Sequence, residues 1–117
     1  MDLREVVRKL EKFGPTSLAE KWDNVGLLVE PSKPHSVKKL MITNDLTEPV
    51  LAEAITENAD MILSYHPPIF VPLKRLTTSS VKEKILVTAI ENRIAIYSPH
   101  TVYDSLEGTL IIIKSKL

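Results

Sequence analysis

The sequence predicts an α/β fold, a mostly parallel sheet with helices packed on it, and three observations carry that expectation. Between Lys38 and Tyr97, short apolar runs alternate with stretches whose apolar residues recur at helical spacing. This is the order from which right-handed βαβ crossovers are built. The runs Leu40-Met41-Ile42, Met61-Ile62-Leu63 and Ile94-Ala95-Ile96-Tyr97 are almost wholly apolar, as strands covered on both faces must be. Two of them give way to segments of like design, Ser64-Tyr65-His66-Pro67-Pro68 and Ser98-Pro99-His100-Thr101-Val102-Tyr103-Asp104.

The elements follow in order. Leu3, Val6, Val7, Leu10 and Phe13 share one helical face, which predicts an amphipathic helix over 2–12, stopped by Gly14-Pro15. Asp23-Asn24 and Gly26 signal a turn, and Leu27-Leu28-Val29 reads as a strand. Pro31 to Pro34 is a loop. Leu40 to Thr43 is a strand ending at Asn44-Asp45, after which Thr47 caps a helix that tolerates Pro49 in its first turn and turns Val50, Leu51, Ala54 and Ile55 to the core. Met61 to Leu63 is the next strand, and Ser64 to Leu76 a proline-rich loop. Ser79 or Ser80 caps a helix whose core face is Val81, Ile85, Leu86, Ala89 and Ile90, and Ile94 to Tyr97 closes the series. Trp22 is expected beneath the sheet, and His35 in a loop without an identifiable partner.

Composition bounds the function. The chain has 117 residues, enough for one domain (1–117) with a real core. Lys plus Arg and Asp plus Glu stand at 15 each, so no global field draws nucleic acid or an anionic membrane, and direct nucleic-acid binding is not expected. With no cysteine there is no disulfide, zinc ribbon or thiol nucleophile, which suits a reducing compartment. The amino terminus lacks a signal-peptide core, and no run has the length of a membrane span. These features predict a cytoplasmic protein, with a nuclear location as a further expectation; the terminal Ser115-Lys116-Leu117 matches a peroxisomal address, a lesser alternative. No G-x-S-x-G elbow accompanies Ser64, Ser98 or Ser105, and no glycine-rich phosphate loop is present.

Chemistry gathers beyond the strand ends. Three parallel, adjacent strands would bring Asp45, His66, His100 and Asp104 to one sheet edge, where open α/β sheets bind ligands. Imidazole nitrogen and carboxylate oxygen suit Zn²⁺, Fe²⁺, Mn²⁺ or Ni²⁺. A helical turn would bring His100 and Asp104 to one side, and Pro67 and Pro99 stiffen the two loops. Two loop histidines are nevertheless surface or structural side chains more often than ligands. Asp45 can brace a turn as readily as touch an ion, and Asp23-Asn24 read as shapers of a turn.

Four ordered segments carry a family resemblance: Trp22-Asp23-Asn24-Val25-Gly26-Leu27, Thr43-Asn44-Asp45-Leu46-Thr47, Ser64-Tyr65-His66-Pro67-Pro68-Ile69-Phe70 and Ser98-Pro99-His100-Thr101-Val102-Tyr103-Asp104-Ser105. Together they closely resemble the NIF-three-like family (NGG-one-interacting factor three-like), whose bacterial members are labelled GTP cyclohydrolase type two. The similarity runs from the first helix to Ser105 and makes the chain look like the amino-terminal half of such a protein, a partial NIF-three-like fold. It implies a toroidal homo-oligomer and, in the bacterial relatives, a dinuclear metal site. Carried over by position, His66 matches the second histidine of a His-His-Pro segment, Asp104 a ligand aspartate, and His100 a histidine close to the site. Tyr65 stands where the first ligand histidine would be, and a neutral phenol is a poorer ligand. Leu106 to Ile113 replaces the family's usual continuation, and the histidine and glutamate that complete the site lie in the half this chain lacks.

Two functions are therefore expected. One is a non-enzymatic adaptor or transcriptional co-regulator that binds protein partners and keeps an incomplete metal site, with weak metal binding through His66 and Asp104. The alternative is a metal-dependent hydrolase. At the carboxyl end, Thr109 to Ile113 is β-favouring and apolar, and is expected to form an exposed edge strand or to aggregate.

Overall fold

A computed structural model describes residues 1–104, with side chains through Val102; the expected edge strand at Thr109–Ile113 lies outside the described residues. Helix α1 (Leu3–Phe13) starts where the Asp2 carboxylate accepts a hydrogen bond from the Arg4 amide at 3.0 Å, and ends at Gly14. A 3-10 turn (Thr16–Leu18) leads to strand β1 (Gly26–Val29). Then follow β2 (Leu40–Thr43), α2 (Glu48–Thr56), β3 (Met61–Ser64), α3 (Val81–Glu91), β4 (Ala95–Ser98) and the single turn α4 (Thr101–Asp104). Gly26 opens β1 at φ +99°, a conformation that the turn after Asn24 requires and that side chains with a Cβ rarely adopt.

The sheet has the order β1-β4-β3-β2. Strands β2, β3 and β4 run parallel, in a register that sets Met61 against both Leu40 and Ala95. Strand β1 pairs antiparallel with β4, Gly26 opposite Ser98, so the sheet is mixed. Both crossover helices, α2 and α3, begin at caps foreseen by their residue types: Thr47 Oγ1 accepts from the Val50 amide, and Ser80 Oγ accepts from the Glu83 amide.

Alternation along the strands divides the core. On one face Ile62, Ile96 and Val29 pack under Leu51, Ala54, Ile85, Leu86 and Ala89 of α2 and α3. On the other, Met61, Leu63, Ala95 and Tyr97 pack with Val37 and with Leu3 of α1. Strands β3 and β4 are buried throughout, as their apolar runs require. Strand β2 is an edge among the described residues and is only half-buried.

Three expectations need correcting. Trp22 does not lie beneath the sheet but is 60% exposed, because its partners are the Phe70 and His100 rings at the end of the sheet. His35 is buried, and its Nε2–H donates to the Asp60 carbonyl at 2.8 Å, tying the Pro31–Pro34 loop to the start of β3. Val81 and Ile90 sit at the rims of α3 and are exposed, Val81 by 62%, so the core face of that helix narrows to Ile85, Leu86 and Ala89. No helix among the described residues is long and apolar enough to cross a membrane.

Candidate metal centre

Parallel strands that end in register bring their following loops together. The loop after β3 continues the ladder for two residues beyond its strand: the Tyr65 amide donates to the Thr43 carbonyl and the His66 amide to the Asn44 carbonyl, each at 2.9 Å. Two buried serines at the strand ends fix its course. Ser64 Oγ donates to the His66 carbonyl at 2.7 Å, and Ser98 Oγ donates to the Tyr65 carbonyl at 3.1 Å. Ser64 and Ser98 are therefore scaffold for the loop that carries His66.

Across this loop, His66 and His100 meet with ring centroids 5.3 Å apart in an edge-on arrangement. Tyr65 lies against both, stacked on His66 at 4.8 Å and edge-on to His100 at 5.3 Å. Trp22 closes the other side of His100 at 6.1 Å and touches Phe70 at 6.0 Å. Asn24 braces the proline-rich loop through Nδ2–H to the Ile69 carbonyl at 2.6 Å.

Each imidazole has a carboxylate behind it. His66 Nδ1 donates to Asp45 Oδ1 at 2.8 Å, a pair open to solvent on both sides. His100 Nδ1 donates to Asp23 Oδ1 at 2.9 Å, and here the aspartate side chain is fully enclosed. Burial alone would raise the Asp23 carboxyl pKa. Hydrogen bonds from His100, from the Thr101 hydroxyl and amide and from the Asn24 amide outweigh it and hold the group below its ordinary value.

The sequence-predicted residues thus fare differently. Asp45, His66 and His100 come to one end of the sheet as expected from the parallel order. The Asp104 side chain lies outside what is described. Asp45 turns its carboxylate to His66, and Asp23, read as a turn former, reaches a histidine 77 residues away. Local pattern could not show that second link, since nothing between the two positions signals their contact.

For a divalent ion the donor set is suitable but incomplete. With Nδ1 engaged by a carboxylate, each neutral imidazole keeps Nε2 as its donor, the arrangement common to metal-ligating histidines. Protein sites for first-row ions take three or four such ligands, and the described residues contain no group of three or more histidine, cysteine or acidic side chains suited to one ion. What they bring together here is two imidazoles side by side. Beside them an apolar groove of about 490 Å³ runs between the starts of α2 and α3, its walls including Leu46, Pro49, Pro68, Val81 and Ile85.

Comparison with known proteins adds four findings. Residues 1–115 match the model of the Duf34/NIF3 (NGG1p interacting factor 3) family. Over 105 residues the chain is 58% identical to "NIF3-like protein 1" of Bos taurus, covering 90% of this chain and 28% of that protein. It is 34% identical over 110 residues to a "GTP cyclohydrolase 1 type 2 homolog" of Clostridium perfringens, covering 94% and 42%. In three dimensions it resembles the crystal structure of a Bacillus cereus protein related to NIF3, with a TM-score of 0.81 at 36% identity over 89% of this chain and 28% of that one. The chain spans less than half the length of each.

Proposed function

Given that the chain belongs to the Duf34/NIF3 (NGG1p interacting factor 3) family, we propose that it supplies one half of a divalent-metal site serving metal-assisted hydrolysis. The observation that carries this reading is the pair of imidazoles in edge contact, each with Nδ1 turned to a carboxylate. His66 and His100 would hold the ion, with Asp104 as the third ligand suggested by position. When bound, such an ion polarises a water or a carbonyl or phosphoryl oxygen. The chain's own residues do the rest: Asp45 and Asp23 orient the rings, Tyr65 and Trp22 wall the site, and the groove past Pro68 offers an apolar surface to the body of a substrate.

Because two imidazoles leave a first-row ion mostly hydrated, affinity in this chain alone is low, and the remaining ligands come from polypeptide that longer relatives possess. Titration calorimetry with Zn²⁺ tests this. The expected result is binding weaker than micromolar that disappears in His66→Ala and retains a normal fold by circular dichroism. Tight binding that survives His66→Ala overturns the ligand assignment.

A second reading, a protein-binding adaptor with transcription-regulatory partners in cytoplasm or nucleus, draws support from a different observation. Trp22, Phe70, Val71, Leu73 and Leu76 are large apolar side chains left exposed around the proline-rich loop. Such patches mark surfaces that meet other polypeptides, a partner protein or other copies in a homo-oligomer.

A further inference from the structure

We propose that Asp23 is a positioning residue: it holds His100 in one tautomer, Nδ1–H inward and Nε2 bare, and in a backbone conformation that His100 would not otherwise keep. Two of the four hydrogen bonds that Asp23 accepts join it to Thr101, whose amide and hydroxyl donate to Oδ2 at 3.0 and 2.6 Å. A third comes from His100 Nδ1 at 2.9 Å, and only the fourth, from the Asn24 amide at 2.9 Å, belongs to its own turn. A turn former would spend its oxygens locally. Asp23 spends them on residues 77 and 78 positions away.

The backbone shows why a clamp is needed. His100 has φ +27°, inside the left-handed region that is unfavourable for a residue with a Cβ. Such conformations persist where the surroundings over-determine them, and they concentrate at functional sites. Here the determinants are the bonds on either side of the His100–Thr101 peptide. The Thr101 hydroxyl also accepts from the Glu20 amide at 3.0 Å, which ties the clamp to the segment before β1.

The chemistry fixes the tautomer. An ionised carboxylate only accepts, so the 2.9 Å contact places the hydrogen on Nδ1, and a neutral imidazole then carries its lone pair on Nε2. The Asp45–His66 pair has the same polarity but lies in solvent, with side chains 66% and 52% exposed, against 0% for Asp23. His100 is preset; His66 is free to adjust. The effect on metal affinity rests on the metal reading above, whereas the tautomer stands apart from it.

Nitrogen-15 NMR on the histidine-labelled full chain tests the proposal. In the wild type, His100 is expected as the Nδ1–H tautomer with a proton that exchanges slowly with water, and His66 with one that exchanges fast. In Asp23→Asn the amide cannot accept from both Thr101 and His100, so His100 shifts to the Nε2–H tautomer that free imidazole prefers, while His66 is unchanged. Zn²⁺ affinity falls about tenfold or more, the usual cost of losing a carboxylate behind a ligating histidine. A wild-type His100 that is Nε2–H or exchanges as fast as His66 overturns the proposal, a result obtainable even where the variant does not fold. So does an unchanged His100 tautomer in folded Asp23→Asn. Absence of Zn²⁺ binding in the wild type counts against the metal reading alone, because the tautomer still decides the role of Asp23.

Discussion

Asp23 is the residue at which local pattern and tertiary structure part company. Its neighbours Asn24 and Gly26 make a turn, and the Asp type fits a turn, yet its carboxylate is enclosed and directed at His100 and Thr101. A consequence is a stability term with a definite pH dependence. The folded carboxyl lies below its ordinary value of 3.8 because the hydrogen bonds outweigh burial. A depressed pKa stabilises the fold at pH values above the unfolded value, and that stabilisation is lost as the pH falls through it toward the folded pKa. Urea unfolding of wild type and Asp23→Asn should therefore show a constant gap above about pH 5 that narrows below about pH 4. A gap that is constant down to pH 3 would mean that the carboxylate charge has no part in the clamp. Trp22 makes the complementary point. An indole is usually a core residue, and only the contacts with Phe70 and His100, made across the fold, put this one at the surface.

At the scale of elements, capping chemistry and periodicity made most of the secondary structure legible. Thr47 and Ser80 stand where helix caps must stand, and the runs at Leu40, Met61 and Ile94 became strands within a residue of their apolar limits. The direction of β1 was not legible, since Gly26 to Val29 reads alike in either sense and its pairing with β4 is settled far away in sequence. Nor was the narrowing of α3: Val81 and Ile90 satisfy helical spacing, yet both stay exposed beside the buried Ile85, Leu86 and Ala89. The cap at α3 is reciprocal. Ser80 Oγ accepts from the Glu83 amide at 3.2 Å and donates to Glu83 Oε2 at 2.6 Å, while Glu83 Oε1 accepts from the Thr77 amide at 3.0 Å. Ser80→Ala removes the cap and should cost about 1 kcal/mol in chemical denaturation. It should leave the His66 and His100 resonances in place, because the bonds of Ser80 and Glu83 run to each other and to Thr77 and not to the residues that hold the two histidines. A loss near zero would show that Thr77 and Glu83 hold the helix start without Ser80.

For the whole molecule the decisive feature is unequal coverage of the sheet. Helices α2 and α3 seal one face, whereas among the described residues α1 is the one helix over the other, with Val6, Val7, Leu10, Leu27 and Ile42 only partly buried there. Leu40, on the same face and at the edge strand β2, is 38% exposed. Beyond β2 no further strand is present among the described residues, so one row of its amides and carbonyls faces outward. An open edge flanked by apolar side chains is a template for pairing with another chain. The relatives are long enough to supply such a cover from their own sequence, for this chain matches only 28% of the Bos taurus protein and 42% of the Clostridium perfringens one. The isolated 117-residue chain is accordingly expected to self-associate through β2 as its concentration rises. Leu40→Lys sets a charge on the exposed edge, where it can reach water along its own stem, and should disperse the assemblies with little loss of stability. Light scattering over a concentration series, with thermal unfolding as the control, reads both effects. Association that is undiminished in a stably folded Leu40→Lys would move the contact away from this edge, toward the exposed Trp22–Phe70 surface at the strand ends.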